Sequence, residues 1–79
     1  MADARFIEDT IRRAMPCEHV EVRGDDGVHF EAVVVSPAFA GLARVRRHQL
    51  VYAALGDRMR EEIHALSMHT LSPEEWAAR

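Results

Sequence analysis

The chain has no lysine: all ten of its basic residues are arginine, a bias we attribute to the coding genome rather than to phosphate contacts. It has one cysteine, Cys17, so no intrachain disulfide can form, in keeping with a reducing compartment. With no thiol neighbour, Cys17 reads as a small apolar filler at the start of a strand rather than as a metal ligand. No apolar run approaches the roughly 20 residues that span a bilayer. The opening MADARFIEDT lacks the basic and then apolar order of a secretory signal, and the chain is expected to stay in the cytoplasm. No nucleophile has an evident base and orienting acid. Glu61 and Glu62 are adjacent in sequence and belong to an exposed helix edge, and 79 residues are too few for a deep pocket, so catalysis is not expected. No C-x2-C pair exists, which excludes a zinc finger despite the spacing of His64 and His69.

What is present suits one domain with one modest core, because a chain this short buries only about 60% of the surface its unfolded form exposes. Hydrophobic residues make up 48% and charged residues 29%, the balance of an ordinary globular domain. The net charge of -3 is uneven. Arg44, Arg46, Arg47, Arg58 and Arg60 face only Asp57 in their stretch, a net of +4 against -7 elsewhere.

Asp3 can cap a first helix in which Phe6, Thr10, Ile11 and Ala14 recur at helical spacing, and Pro16 marks where that helix has stopped. Residues 18–24 and 28–36 alternate as two strands. Val20 and Val22 oppose Glu21 and Arg23, and Phe30, Ala32 and Val34 share a face. Asp25, Asp26 and Gly27 between them supply turn chemistry, which makes the pair a β-hairpin. Pro37 ends the second strand, and Phe39 with Gly41 forms a bend.

From Arg44 to about Ile63, Val45, Tyr52, Leu55, Met59 and Ile63 fall in one helical stripe with Arg46, Arg47, Asp57 and Arg58 opposite. A break near Gly56 is as consistent as one rod. Ala43 stands where a capping residue belongs. Residues 65–71 fit a third strand. Ser72, Pro73 and Glu75 form a capping box that opens a final short helix carrying Trp76. The fold class expected is α+β in the order α-β-β-α(α)-β-α. A right-handed crossover places the third strand parallel to the second, in a three-stranded mixed sheet with helices packed on one face.

The pieces F-x-G from Phe39, R-H-x-x-V-Y-x-x-L from Arg47, I-H-A-L from Ile63 and T-L-S-P-x-E-W from Thr70 come in the order and spacing of the BolA family. With the hairpin before them, the chain resembles that family from about Phe6 onward. The resemblance implies a fold like a variant of the type II KH domain. It also implies a non-enzymatic adaptor that pairs with a monothiol glutaredoxin of the CGFS type and shares a [2Fe-2S] cluster with it, for iron-sulfur trafficking or iron sensing.

Within that resemblance, His29 of GDDGVHF matches the loop ligand of the histidine-type members, with the short loop of the YrbA-like branch, and His64 of IHAL matches the second ligand. By parity with Phe30, His29 should face solvent. His64 shares parity with Leu66 and Met68, which aims it at the core unless the helix-to-strand junction resets the phase. Two imidazoles cannot complete a four-ligand cluster. The resemblance has the partner supply a cysteine thiolate together with glutathione, a set resembling a Rieske centre. No cofactor is expected in the isolated chain, which should be a monomer. Imidazole binds metal only when deprotonated, with an unperturbed pKa of about 6.5, so acid should weaken such a complex.

The second expectation is a DNA-binding transcriptional regulator of the BolA type, acting in the stress response. Arg44, Arg46 and Arg47 crowd a helix start where the macrodipole disfavours cations, and they are the candidate contacts for an acidic partner surface, glutathione or nucleic acid. Protonating all five histidines would take the charge from -3 to +2, so DNA affinity should rise in acid and fall with salt. The string from Gly24 to Gly27 satisfies GxxG but joins two strands and carries two negative charges, unlike a KH clamp. His48 falls near the apolar stripe as a structural residue, and His19 and His69 stand singly on strands.

Overall fold

A computed structural model of the chain describes residues 3–57 and 65–79. Helix α1 spans Ala4–Ala14, and Asp3 caps it as expected, its carboxylate accepting from the Phe6 amide at 2.8 Å. The helix ends before Pro16, whose missing N–H could not continue it. Its buried face is Ile7, Thr10 and Ile11. Phe6 is only half-buried and Ala14 is exposed, so the stripe is centred on Ile7, one residue from where the pattern placed it.

Strands β1 (His19–Arg23) and β2 (His29–Val35) form the antiparallel hairpin, with Val20 opposite Val34 and Val22 opposite Ala32. Strand β3 (Ala65–Leu71) runs parallel to β2, with Phe30 beside Leu66 and Ala32 beside Met68. The sheet order is β1-β2-β3, which is the mixed sheet the sequence implied. Alternation sends Val20, Val22, Phe30, Ala32 and Val34 to one face, where they pack with Ile7 and Ile11 of α1 and with Val51 and Leu55 further along the chain.

A single 3-10 turn, Pro37–Phe39, follows β2. Phe39 is fully buried, worth roughly 2–3 kcal/mol relative to leaving it exposed, so the turn anchors the crossover. Ser36 ties it down: its buried hydroxyl donates to the Pro16 carbonyl at 2.5 Å and accepts from the Ala38 amide at 3.1 Å. Gly41, with φ 77°, makes the bend that leads into the next helix.

Helix α2 (Arg44–Leu55) corrects the expected phase. Val51 and Leu55 are its buried residues, whereas Val45 is 66% exposed and Tyr52 41%. Arg47, expected on the solvent side, faces inward with a side chain only 12% exposed. The physical reason is a set of acceptors at the end of β3. The Arg47 guanidinium donates to the Leu42 and Thr70 carbonyls at 2.8 and 3.0 Å and to Glu75 at 2.6 Å. The guanidinium carbon also lies over the Phe39 ring, 6.0 Å from its centroid, a cation–π contact. Gly56 ends the helix with φ 62°, so of the two readings, a break and one rod, the structure has the break. Met59 and Ile63 of the expected stripe lie outside the described residues, as do Arg58 and Arg60.

Helix α3 (Pro73–Ala78) opens on the complete Ser72–Glu75 capping box. Trp76 stacks on His19, ring centroids 4.8 Å apart and planes at 19°. His19 pairs with Val35 and Val35 with Leu71, so the stack closes the end of the sheet on the face opposite α1 and α2. Val35 is fully buried yet stands apart from the main core. That placement fits a residue covered from the second face.

Candidate functional site

His29 begins β2 directly after the hairpin turn, and its side chain is 73% exposed. Phe30 beside it is buried, so strand parity points the imidazole outward, as the alternation required. The turn is built around Asp26. One carboxylate oxygen accepts from the Val28 and His29 amides, each at 2.8 Å, while the other meets His29 Nδ1 at 2.9 Å. An ionised carboxylate only accepts, so Nδ1 carries a proton, and in the neutral ring the lone pair is then on Nε2, where an outside ligand can reach it. These hydrogen bonds, the one from the His29 ring foremost, hold the Asp26 carboxyl well below the usual carboxylate range.

Gly24 contributes on the other side of the hairpin. A Cβ there would lie 2.5 Å from the His29 carbonyl oxygen and 2.6 Å from the Phe30 ring. Only glycine lets the strands close enough to seat His29 at the sheet's end. Sequence reasoning found His29 but missed Asp26 as its partner. The available signal was an aspartate placed three residues before a histidine in a turn, where its short carboxylate reaches back-to-back amide donors.

His64 lies outside the described residues. The residue after it, Ala65, is the register partner of His29. Among the described residues no three His, Cys, Asp or Glu side chains gather to hold a metal ion.

The three arginines do not act alike. Arg44 and Arg46 are exposed at the start of α2, and that helix start has no side-chain cap, Ala43 occupying the position. Arg47 is engaged inside the domain as described above. It holds Glu75 down to about 2, its own hydrogen bond being the largest cause and the Ser72 amide the next. His48, one residue on, is half-buried, and its Nε2 has no partner among the described residues. His69 is exposed on β3. His19 stacks on Trp76 and meets Glu21 at 3.4 Å. Arg23, with His19 second, draws the Glu21 carboxyl below its ordinary value. Burial raises the Cys17 thiol, the behaviour of a packed residue rather than a reactive one. No helix among the described residues is long and apolar enough to cross a membrane.

The family model described as BolA-like protein matches residues 6–75. The chain belongs to the BolA-like family. It is 36% identical over 72 residues to the acid stress protein IbaG of Escherichia coli, spanning 90% of this chain and 84% of that one. It is 41% identical over 61 residues to the DNA-binding transcriptional regulator BolA of Haemophilus influenzae, spanning 77% of this chain. That match covers 58% of the regulator's own length. The structure of a bolA protein homologue from Coxiella burnetii superposes with a TM-score of 0.87 at 42% identity, covering 98% of this chain and 99% of that one.

Proposed function

We propose that this BolA-like chain is a non-enzymatic adaptor that docks a monothiol glutaredoxin and, through His29 and His64, co-ligates a [2Fe-2S] cluster shared with it. The observation that carries this reading is His29: exposed, oriented by Asp26, with Nε2 open to solvent. A carboxylate on the distal ring nitrogen is the usual support of a metal-binding imidazole. Ala65, next in sequence after His64, is in register with His29, which supports both histidines serving one cluster. A cluster of this kind takes four ligands, and the glutaredoxin thiolate with glutathione would supply the others. The test is to mix the protein with cluster-loaded monothiol glutaredoxin and follow the visible spectrum. We expect new bands that disappear in the His29→Ala, His64→Ala double variant. Unchanged spectra, or bands that survive both substitutions, reject the reading.

A second reading, DNA-binding regulator in the stress response, is favoured by exposed Arg44 and Arg46 at an uncapped helix start. Relatives named for DNA binding and acid stress also support it. It requires salt-sensitive binding that strengthens in acid. A gel-shift titration at two pH values separates it from cluster sharing, and no salt-sensitive shift at either pH removes it.

A further inference from the structure

The two edges of the sheet are finished differently. On β1, side chains of α1 occupy the outer backbone: Glu8 accepts from the Val22 amide at 3.2 Å and Arg12 donates to the Val20 carbonyl at 3.2 Å. On β3, Ala65 donates to Val28 and Leu71 accepts from Ser36, so residues 65, 67, 69 and 71 turn their peptide groups toward β2. By alternation Leu66, Met68 and Thr70 turn theirs outward, and the Arg47 bond to the Thr70 carbonyl lies on that side. No described residue pairs with the outward groups of Met68. An unpaired edge of this kind is a template for another strand.

Beside this edge lies a cleft of about 560 Å³ between α2 and β3, its walls including Arg44, Arg47, His48, Met68, Thr70 and Glu75. Its charge is one-sided. Helix α2 carries three arginines and no acid, and Glu75 is already matched by Arg47. Arg44 therefore has no described counter-charge, and the uncapped helix start beside it leaves amide donors open. His48 Nε2 lacks a partner in the same wall.

We propose that this cleft is a docking groove for an extended acidic peptide segment of a partner protein. The segment adds as a fourth strand along β3, paired through the Met68 backbone, with a carboxylate set against Arg44. Backbone pairing gives affinity and the groove wall gives selectivity, the general logic of strand addition. Met68 is three residues along β3 from Ala65, roughly 10 Å at ~3.3 Å per residue, and the groove runs from there away from His29, so it does not depend on the cluster reading.

The probe is a blocked ten-residue peptide of alternating glutamate and valine, compared with its lysine-for-glutamate counterpart and with a version N-methylated at alternate backbone positions. Amide shift mapping of the full chain at neutral pH should place the changes at Arg44, His48 and residues 68–71, with slowed hydrogen exchange at the Met68 amide. Arg44→Glu should weaken binding at least tenfold, while His29→Ala leaves it unchanged. The proposal is overturned if the lysine or N-methylated peptide binds equally well, or if shifts fall on β1 or nowhere. Protection of the Met68 amide without peptide, together with concentration-dependent sedimentation, would assign the edge to a second copy and equally overturn it.

Discussion

Arg47 on α2 and Glu75 on α3 meet at 2.6 Å across the end of β3, and the same guanidinium holds the Thr70 carbonyl between them. One side chain therefore fastens two helices to a strand. Glu75 in turn accepts from the Ser72 amide at 2.8 Å to close the capping box, so the cap and the ion pair share a carboxylate.

Arg47→Ala should consequently destabilise the domain more than the removal of an exposed arginine such as Arg46. Two carbonyls lose a charged donor in a half-buried setting, and at about 1.5–3 kcal/mol for each bond to a charged group the expected loss is roughly 3 kcal/mol or more. Arg47→Lys should not restore it, because one ammonium cannot span the acceptors that the planar fork reaches. Urea unfolding of the three variants measures this. Equal midpoints for Arg47→Ala and Arg46→Ala would remove the structural role assigned to Arg47.

The same pair predicts a pH dependence. Glu75 is held down to about 2 from its ordinary 4.5. A carboxyl whose folded value is depressed contributes stability that is complete above its unfolded value and is lost as pH falls through the folded one. The contribution should therefore fade between about pH 4.5 and 2. Carbon-detected titration of the Glu75 carboxyl should show it moving toward its ordinary value in Arg47→Ala. A midpoint unmoved by that substitution contradicts the pairing.

The parts of this fold that follow local chemistry could be read from the residues themselves. Asp3, the Asp25–Gly27 turn, Gly56 and the Ser72–Glu75 box each set a boundary within a few positions of themselves, and β3 begins and ends where its apolar pattern does. Helix α2 is different because it is apolar on more than one side: Val45, Leu50, Val51, Tyr52 and Leu55 leave several phases open. The choice was made by tertiary acceptors at Thr70 and Glu75, which no local pattern contains. At the site, parity alone exposed His29, while its bond to Asp26 depended on how the turn folds back. For His64, outside the described residues, sequence alternation alone does not fix a direction, because parity with Leu66 and Met68 holds only within one strand.

Gly24→Ala tests how tightly the hairpin seats His29. The added methyl would sit 2.5 Å from the His29 carbonyl oxygen and 2.6 Å from the Phe30 ring, and neither a backbone oxygen nor a buried ring yields easily. A loss of about 1–3 kcal/mol is expected, as for overpacked sites, with backbone shifts centred on residues 28–30. Gly41→Ala is the comparison, since a Cβ there meets nothing within 4 Å and its cost comes from φ 77° alone. Thermal melts and amide spectra of both report the difference. A Gly24→Ala protein with unchanged melting and unchanged His29 signals would show that the close approach is not needed.

Asp26 provides the sharpest check on the histidine it orients. Replacing it by alanine leaves the His29 ring in place in the sequence but frees Nδ1, so the proton can sit on either nitrogen and the ring can turn about its exposed side chain. Losing such an outer partner commonly lowers metal affinity about 10- to 100-fold, and the cluster-bearing complex with glutaredoxin should weaken within that range. Because Asp26 also accepts from the Val28 and His29 amides, the variant is to be paired with Asp26→Asn, whose side-chain oxygen can keep the amide bonds while its charge is gone. With that oxygen on the amides, the Asn amino group faces Nδ1 and favours the tautomer with the proton on Nε2, so a loss in Asn at least as large as in Ala, with folding intact by circular dichroism, fits orientation of the ligand. Cluster retention equal to wild type in both would mean that His29 needs no such support, or is not the ligand.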